Sequence, residues 1–193
     1  MTYNGTIILD RDGVLNEVRN GYVKNLEELV VIKSSIDAIK MLSKYDFQVV
    51  VASNQAGFAK RLVSEKTLAA IENTFTSLCD TRIAFFYCLH AKSDNCECRK
   101  PKPGMLLEIK SKYPPPYIFV GDNITDYQAA NLSNIRFVLV CTGHGSKYEN
   151  ILRSKCLIFE NLFDFVTKLC SSDELAEHKD MFVLQTSHGK EER

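Results

Sequence analysis

Neither sign of charge prevails in this sequence: 24 lysines and arginines face 24 aspartates and glutamates, leaving a formal net charge of +0. That balance argues against a general binder of nucleic acid or membrane surfaces, although a local basic patch stays open. No apolar run is long enough for a membrane span, and the start Met1-Thr2-Tyr3-Asn4-Gly5 lacks the charged n-region of a signal peptide. A soluble protein is expected. Neither a GxxxxGK[ST] loop nor a GxGxxG fingerprint occurs, so a bound nucleotide cofactor is not implied. Repeats, low-complexity segments and a linker between two cores are also missing, and 193 residues fit one domain. Seven cysteines cannot all pair within one chain. Three of them fall within eleven residues beside a histidine, which suits metal ligation in a reducing compartment, the cytoplasm, better than a disulfide framework.

What is present is a series of short apolar strands that end in polar chemistry. Ile7-Ile8-Leu9 reads as a buried strand of a parallel sheet, delivering Asp10 and Asp12 to its carboxyl end, with Gly13 letting the chain turn away. Residues i and i+2 of an extended strand face one side, so these two acids can share a site. A helix is expected from Ser34, and a second strand over Phe47–Ala52 runs into Ser53-Asn54-Gln55-Ala56-Gly57. A helix from Ser64 to Leu78 and a strand from Ile83 to Tyr87 follow, Ser64 serving as the cap.

Directly after that strand, Cys88, His90, Cys96 and Cys98 supply three soft thiols and one imidazole, enough to close a tetrahedron around a structural zinc with no open position. The other reading is buried free cysteines beside an exposed histidine, but the loop holds little apolar material to bury them. Cys79, Cys141, Cys156 and Cys170 lie in or beside apolar runs and read as small core residues. Arg99-Lys100-Pro101-Lys102-Pro103-Gly104 comes next, a basic arm stiffened by two prolines and placed by the metal knot. The alternation continues with a helix over Gly104–Lys112 and a strand over Tyr117–Val120 that ends in Gly121-Asp122-Asn123-Ile124-Thr125-Asp126. Beyond it are expected a helix near Asp126–Leu132, strands over Phe137–Cys141 and Leu157–Phe159, and a helix over Leu162–Leu169. Residues 171–193, His178 and His188 included, read as a poorly ordered tail after a single domain over residues 1–170.

The fold class is therefore α/β, a doubly wound parallel sheet, with four strand ends converging on one edge. Carboxylates from separate strands make a hard-oxygen site for magnesium, and the surrounding hydroxyl, amide and basic groups match a phosphate. The gaps between these motifs are too short for a separate cap domain, so the site should be open. Such a site admits a sugar bisphosphate, a phosphorylated amino alcohol or a nucleic-acid end.

The set Asp10-x-Asp12-Gly13-Val14-Leu15, Ser53, Lys100-Pro101 and Gly121-Asp122-x-x-x-Asp126 resembles, in order and spacing, the four motifs of the haloacid dehalogenase superfamily of phosphatases. More narrowly, Asp-Arg-Asp-Gly, Gly21-Tyr22-Val23, Asn54-Gln55-Ala56-Gly57, the cysteine and histidine loop, Arg-Lys-Pro-x-Pro-Gly-Met and Asp126-x-Gln128-Ala129-Ala130 resemble the D-glycero-D-manno-heptose 1,7-bisphosphate phosphatases and the related histidinol-phosphate phosphatases. The resemblance runs from about Ile7 to Gly145. Relatives often carry Thr at Ser53, Lys at Asn123, and Arg and Lys at Cys141 and His144.

The resemblance implies that Asp10 is the nucleophile and Asp12 the acid and then the base, with Ser53 and Lys100 on the transferring phosphoryl group. It places magnesium on Asp10, the main-chain carbonyl of Asp12, and Asp122. Arg19, Asn20, Gly21, Tyr22, Asn54, Gln55, Arg99 and Asn123 are placed at the substrate. The expected activity is a magnesium-dependent phosphatase with a structural zinc, acting on the 7-phosphate of a heptose bisphosphate in making a lipopolysaccharide or related glycan precursor. The expected partner is this small phosphorylated molecule, with neither nucleic acid nor membrane. Histidinol-phosphate phosphatase is the alternative within the class, and a catalytically silent zinc-containing binding module the alternative outside it.

Overall fold

The protein is described by a computed structural model over residues 3–171. The expected tail lies outside the described residues, apart from Ser171. Six parallel strands alternate with six helices: β1 (Gly5–Leu9), α1 (Lys33–Lys44), β2 (Phe47–Asn54), α2 (Glu65–Cys79), β3 (Ala84–Cys88), α3 (Gly104–Lys112), β4 (Tyr117–Gly121), α4 (Ile124–Leu132), β5 (Arg136–Val140), α5 (Glu149–Leu152), β6 (Leu157–Phe159) and α6 (Leu162–Cys170). Short 3-10 turns occupy Leu26–Glu28, Lys92–Asp94 and Gly145–Lys147. The sheet order is β3-β2-β1-β4-β5-β6, with every pairing parallel. No helix among the described residues is long and apolar enough to cross a membrane.

Continuous apolar runs form the inner strands because both faces of the sheet are covered. Ile7, Leu9, Val49, Val51 and Val120 face α1, α2 and α6, where Ile36, Ile39, Leu42, Ile71, Phe75 and Phe165 complete one core. Ile8, Val50, Ala52 and Phe119 face the other way, onto Met105, Leu106 and Ile109 of α3 and Ala129 and Ala130 of α4. Burying each large aliphatic side chain contributes about 1.5–3 kcal/mol, so these two layers carry the stability of the domain. Leu9 of β1 pairs with Val51 of β2 on one side and Val120 of β4 on the other. The residues that follow, Asp10, Ser53 and Asp122, are thus delivered side by side at the carboxyl edge, where the strand order reverses.

Most observed elements lie within a residue or two of their sequence-based bounds. The fourth helix starts earlier than expected, at Ile124, because Asn123 caps it: Asn123 Oδ1 accepts from the Thr125 N–H at 3.2 Å, and Asp126 Oδ2 accepts from the Asn123 N–H at 3.1 Å. Ser64 caps α2 as expected, its Oγ accepting from the Thr67 N–H at 3.1 Å. Helix α5 and the turn before it fall where the sequence offers only a loop. Cys79 is fully buried, while Cys141, Cys156 and Cys170 are half-buried, and all seven thiols are free.

Candidate active site

The floor of the site is a buried ion-pair cluster. The Lys100 ammonium donates to the Ala52 carbonyl at 2.9 Å and lies 3.0 Å from Asp10 Oδ1 and 2.6 Å from Asp126 Oδ1. Burial alone would push the Lys100 ammonium down, but the Asp10 and Asp126 carboxylates outweigh it and hold it above its ordinary value. Asp122 stands beside them, its Oδ2 accepting from the His144 N–H at 2.7 Å. Gly13 and Gly143 both have positive φ and close on Asp122 from two sides; a Cβ at either would overlap its carboxylate.

Asp10, Asp122 and Asp126 bring carboxylate oxygens within 4.8 Å of one another. Burial, then repulsion from Asp10 and Asp126, pushes Asp122 up to about 8. Burial also pushes Asp126 up to about 7, against the pull of Lys100. Three buried acids against one ammonium leave negative charge uncompensated, and this set of hard oxygen donors fits a magnesium ion. Asp126 is the least available of the three, since one oxygen is on Lys100 and the other caps α4.

Asp12 faces the same cavity but is held differently. Its oxygens accept from Arg11, from Asn16 Nδ2 at 2.9 Å and from Gln55 Nε2 at 2.9 Å. Burial would raise this carboxyl, yet Arg11 and these hydrogen bonds hold it below its ordinary value. Gln55 also donates to Ser53 Oγ at 2.9 Å, so both of its contacts are inside the protein.

The cavity has a volume of ≈ 670 Å³ and is lined by Asp10, Asp12, Ser53, Asn54, Arg99, Lys100, Asp122, Asn123 and Asp126, with Lys92, Lys102 and His144 among the remaining walls. Asn54 spends its amide on the basic arm: Nδ2 donates to the Lys100 carbonyl at 3.0 Å and Oδ1 accepts from the Lys100 N–H at 3.1 Å. Arg99 is half-buried and its Nη1 has no hydrogen-bond partner among the described residues. Arg19, Asn20, Gly21 and Tyr22 are not on the cavity wall. Arg19 faces Glu28, and Tyr22 packs against Gly57 beneath the Lys60 ammonium.

Beside the cavity, the four expected zinc ligands close on a point. Cys88 Sγ lies 3.5 Å from Cys96 Sγ and 3.7 Å from His90 Nδ1; Cys98 Sγ lies 3.5 Å from Cys96 Sγ and 3.3 Å from His90 Nδ1. Zinc bonds of about 2.0–2.3 Å require tetrahedron edges of roughly 3.5–3.8 Å, so the cluster fits that ion. Burial and then the neighbouring thiols push Cys98 up to about 12, and a cation among them would reverse that.

Residues 6–137 match the family model described as polynucleotide kinase 3 phosphatase. The D-glycero-beta-D-manno-heptose-1,7-bisphosphate 7-phosphatase of Pseudomonas putida is 40% identical over 164 residues, 81% of this chain and 94% of that protein. The enzyme of the same name from Neisseria meningitidis is 34% identical over 172 residues, covering 82% and 91%. Among solved structures, the D,D-heptose 1,7-bisphosphate phosphatase of Bordetella bronchiseptica, complexed with magnesium and phosphate, superposes with a TM-score of 0.78 at 33% identity, over 86% of this chain and 97% of that one. The chain belongs to the haloacid dehalogenase-like phosphatases, in the family of that model and of these heptose bisphosphate phosphatases.

Sequence reasoning placed the carboxylates, the lysine and the metal knot in their elements. It did not assign Asp126 its hold on Lys100, nor see that Gly143 and His144 close over Asp122. The Asp126 signal was readable, as a second acid in the first turn of α4. The Gly143 contact was not, because it joins two loops distant in sequence.

Proposed function

We propose that this protein is a magnesium-dependent phosphatase that removes the 7-phosphate of D-glycero-D-manno-heptose 1,7-bisphosphate, on the way to the ADP- or GDP-heptose precursor of lipopolysaccharide or a related glycan. The observation that carries the reading is Asp10 facing Lys100 at the floor of an open cavity, with Arg99, whose Nη1 has no hydrogen-bond partner among the described residues, on its wall. Asp10 Oδ attacks phosphorus while the bond from phosphorus to the sugar oxygen breaks, and Asp12 gives that oxygen its proton. Water then attacks the aspartyl phosphate, passing its proton to Asp12, and inorganic phosphate leaves with Asp10 restored. Lys100 stabilises charge on the transferring group, and Ser53 hydrogen-bonds its oxygens. A magnesium ion held by Asp10, Asp122 and the Asp12 main-chain carbonyl would supply the positive charge that lets a carboxylate approach a phosphate dianion.

Asn54 and Gln55 act by fixing the Lys100 backbone and Asp12, while Arg99 and Asn123 face the substrate. A second phosphate remote from the reacting one gives Arg99 an anion from which to draw binding energy. Residues 1–170 act as one domain, on a small molecule, in the cytoplasm. Phosphate release measured on the β anomer of the heptose bisphosphate, on histidinol phosphate and on a 3′-phosphorylated oligonucleotide tests the assignment. The highest kcat/KM is expected on the first, with phosphorus NMR showing the anomeric phosphate retained. A better rate on either rival, or loss of the anomeric phosphate, would overturn it.

A further inference from the structure

Arg11 lies between the two acids of the first motif, yet it is only 1% exposed and is among the largest fully buried side chains of the protein. An arginine cannot shed its proton in the interior, so a buried guanidinium must meet a carboxylate or be strongly destabilising. It meets Asp12. Nη2 donates to Oδ1 at 2.9 Å and to Oδ2 at 3.1 Å, and Nε donates to Oδ1 at 3.3 Å. Arg11 Nη1 and the Tyr87 hydroxyl of β3 are both buried with no hydrogen-bond partner among the described residues, so the charge is met at Asp12 alone. The Asp12 side chain is 34% exposed and lines the cavity, while Arg11, Asn16 and Gln55, which hold it, are all buried.

We propose that Arg11 is the positioning residue for Asp12: its two-pronged contact fixes both the place and the plane of the carboxyl that exchanges protons with the leaving oxygen and with water. The Arg11 main-chain N–H, which any residue but proline would supply, donates to Asp10 Oδ1 at 2.7 Å, whereas the guanidinium acts through Asp12. The planar fork matters because a single point charge would leave the carboxyl free to rotate, and a displacement of about 1 Å at a reacting group can cost on the order of a hundredfold in rate. The inference rests on the reading of Asp12 as acid and base, which Asp12→Asn tests by itself, through loss of turnover on the sugar ester with the para-nitrophenolate release kept.

The leaving group separates a positioning role from a merely structural one. A sugar alkoxide needs a proton as its bond to phosphorus breaks, whereas para-nitrophenolate departs as a stable anion. Arg11→Lys is expected to lower kcat on the heptose bisphosphate about 10- to 100-fold at nearly unchanged KM. In the same variant the single-turnover burst of para-nitrophenolate should stay near the wild-type rate, and adding Arg11→Lys to Asp12→Asn should slow that burst no further. Arg11→Met should show the same split more strongly; if it does not fold, the lysine variant decides. Equal proportional loss on both esters, or wild-type turnover of Arg11→Lys on both, overturns the proposal.

Discussion

The Lys100 ammonium stands closer to Asp126, at 2.6 Å, than to Asp10, at 3.0 Å. The lysine is therefore tethered by an acid that the proposed chemistry does not consume, and Asp10 keeps its second oxygen for other partners. Asp10→Asn should fold and lose essentially all turnover, because an amide is a poor nucleophile. Lys100→Ala should lose about 10²- to 10³-fold, the order expected when one preorganised electrostatic contact is removed. Steady-state kinetics with matched thermal melts check both, and near-normal turnover by Asp10→Asn would rule out the covalent route.

The metal knot should be separable from the core. Cys96→Ser or Cys98→Ser is expected to release zinc and loosen the arm that carries Arg99, lowering affinity and rate together while the sheet stays folded. Elemental analysis of the purified protein should find about one zinc per chain, distinct from exchangeable magnesium. A metal-free protein with unchanged activity would leave these residues as ordinary thiols.

The acid cluster predicts how stability depends on pH when magnesium is withheld. Burial and mutual repulsion push Asp122 up to about 8 and Asp126 up to about 7, above the 3.8 of an unperturbed aspartate. A carboxyl raised in the folded state stabilises below its unfolded value, and that contribution is lost as pH rises through the folded one. Asp10, Lys100 and the N–H groups of His144 and Asn123 are the other groups facing the pair. The melting temperature of the metal-free protein should thus fall between about pH 5 and about pH 8, and magnesium should raise it more at the upper end. A rise over that window, with an equal magnesium shift at both ends, would count against the assignment.

Legibility of the sequence followed the range of the interactions. Asp10, Ser53 and Asp122 could be placed because each follows an apolar run, and parallel strands present their ends along one edge. The zinc ligands were visible because all four fall within eleven residues, from the last residue of β3 through the loop after it. Asn54 was expected at the substrate, but both ends of its amide are on the Lys100 backbone, a contact spanning a helix, a strand and the metal loop. Tyr22 was likewise expected at the site and instead packs on Gly57. Side-chain direction in loops depends on tertiary neighbours, which neither periodicity nor spacing encodes.

The pairing of β2 with β3 sets Asn54 opposite Cys88, and the Gln55 N–H donates to the Cys88 carbonyl at 2.8 Å. The first zinc ligand is thereby indexed to the polar turn that lines the cavity. As the edge strand, β3 pairs on one side only, so its register is set by β2 alone. Here a slip of β3 by one residue would turn Cys88 to the opposite face and carry the knot, with its basic arm, out of reach of the phosphate. Changes of length in the connection at residues 80–83 are therefore constrained by the spacing between a metal and a catalytic turn as well as by the burial of Ile83.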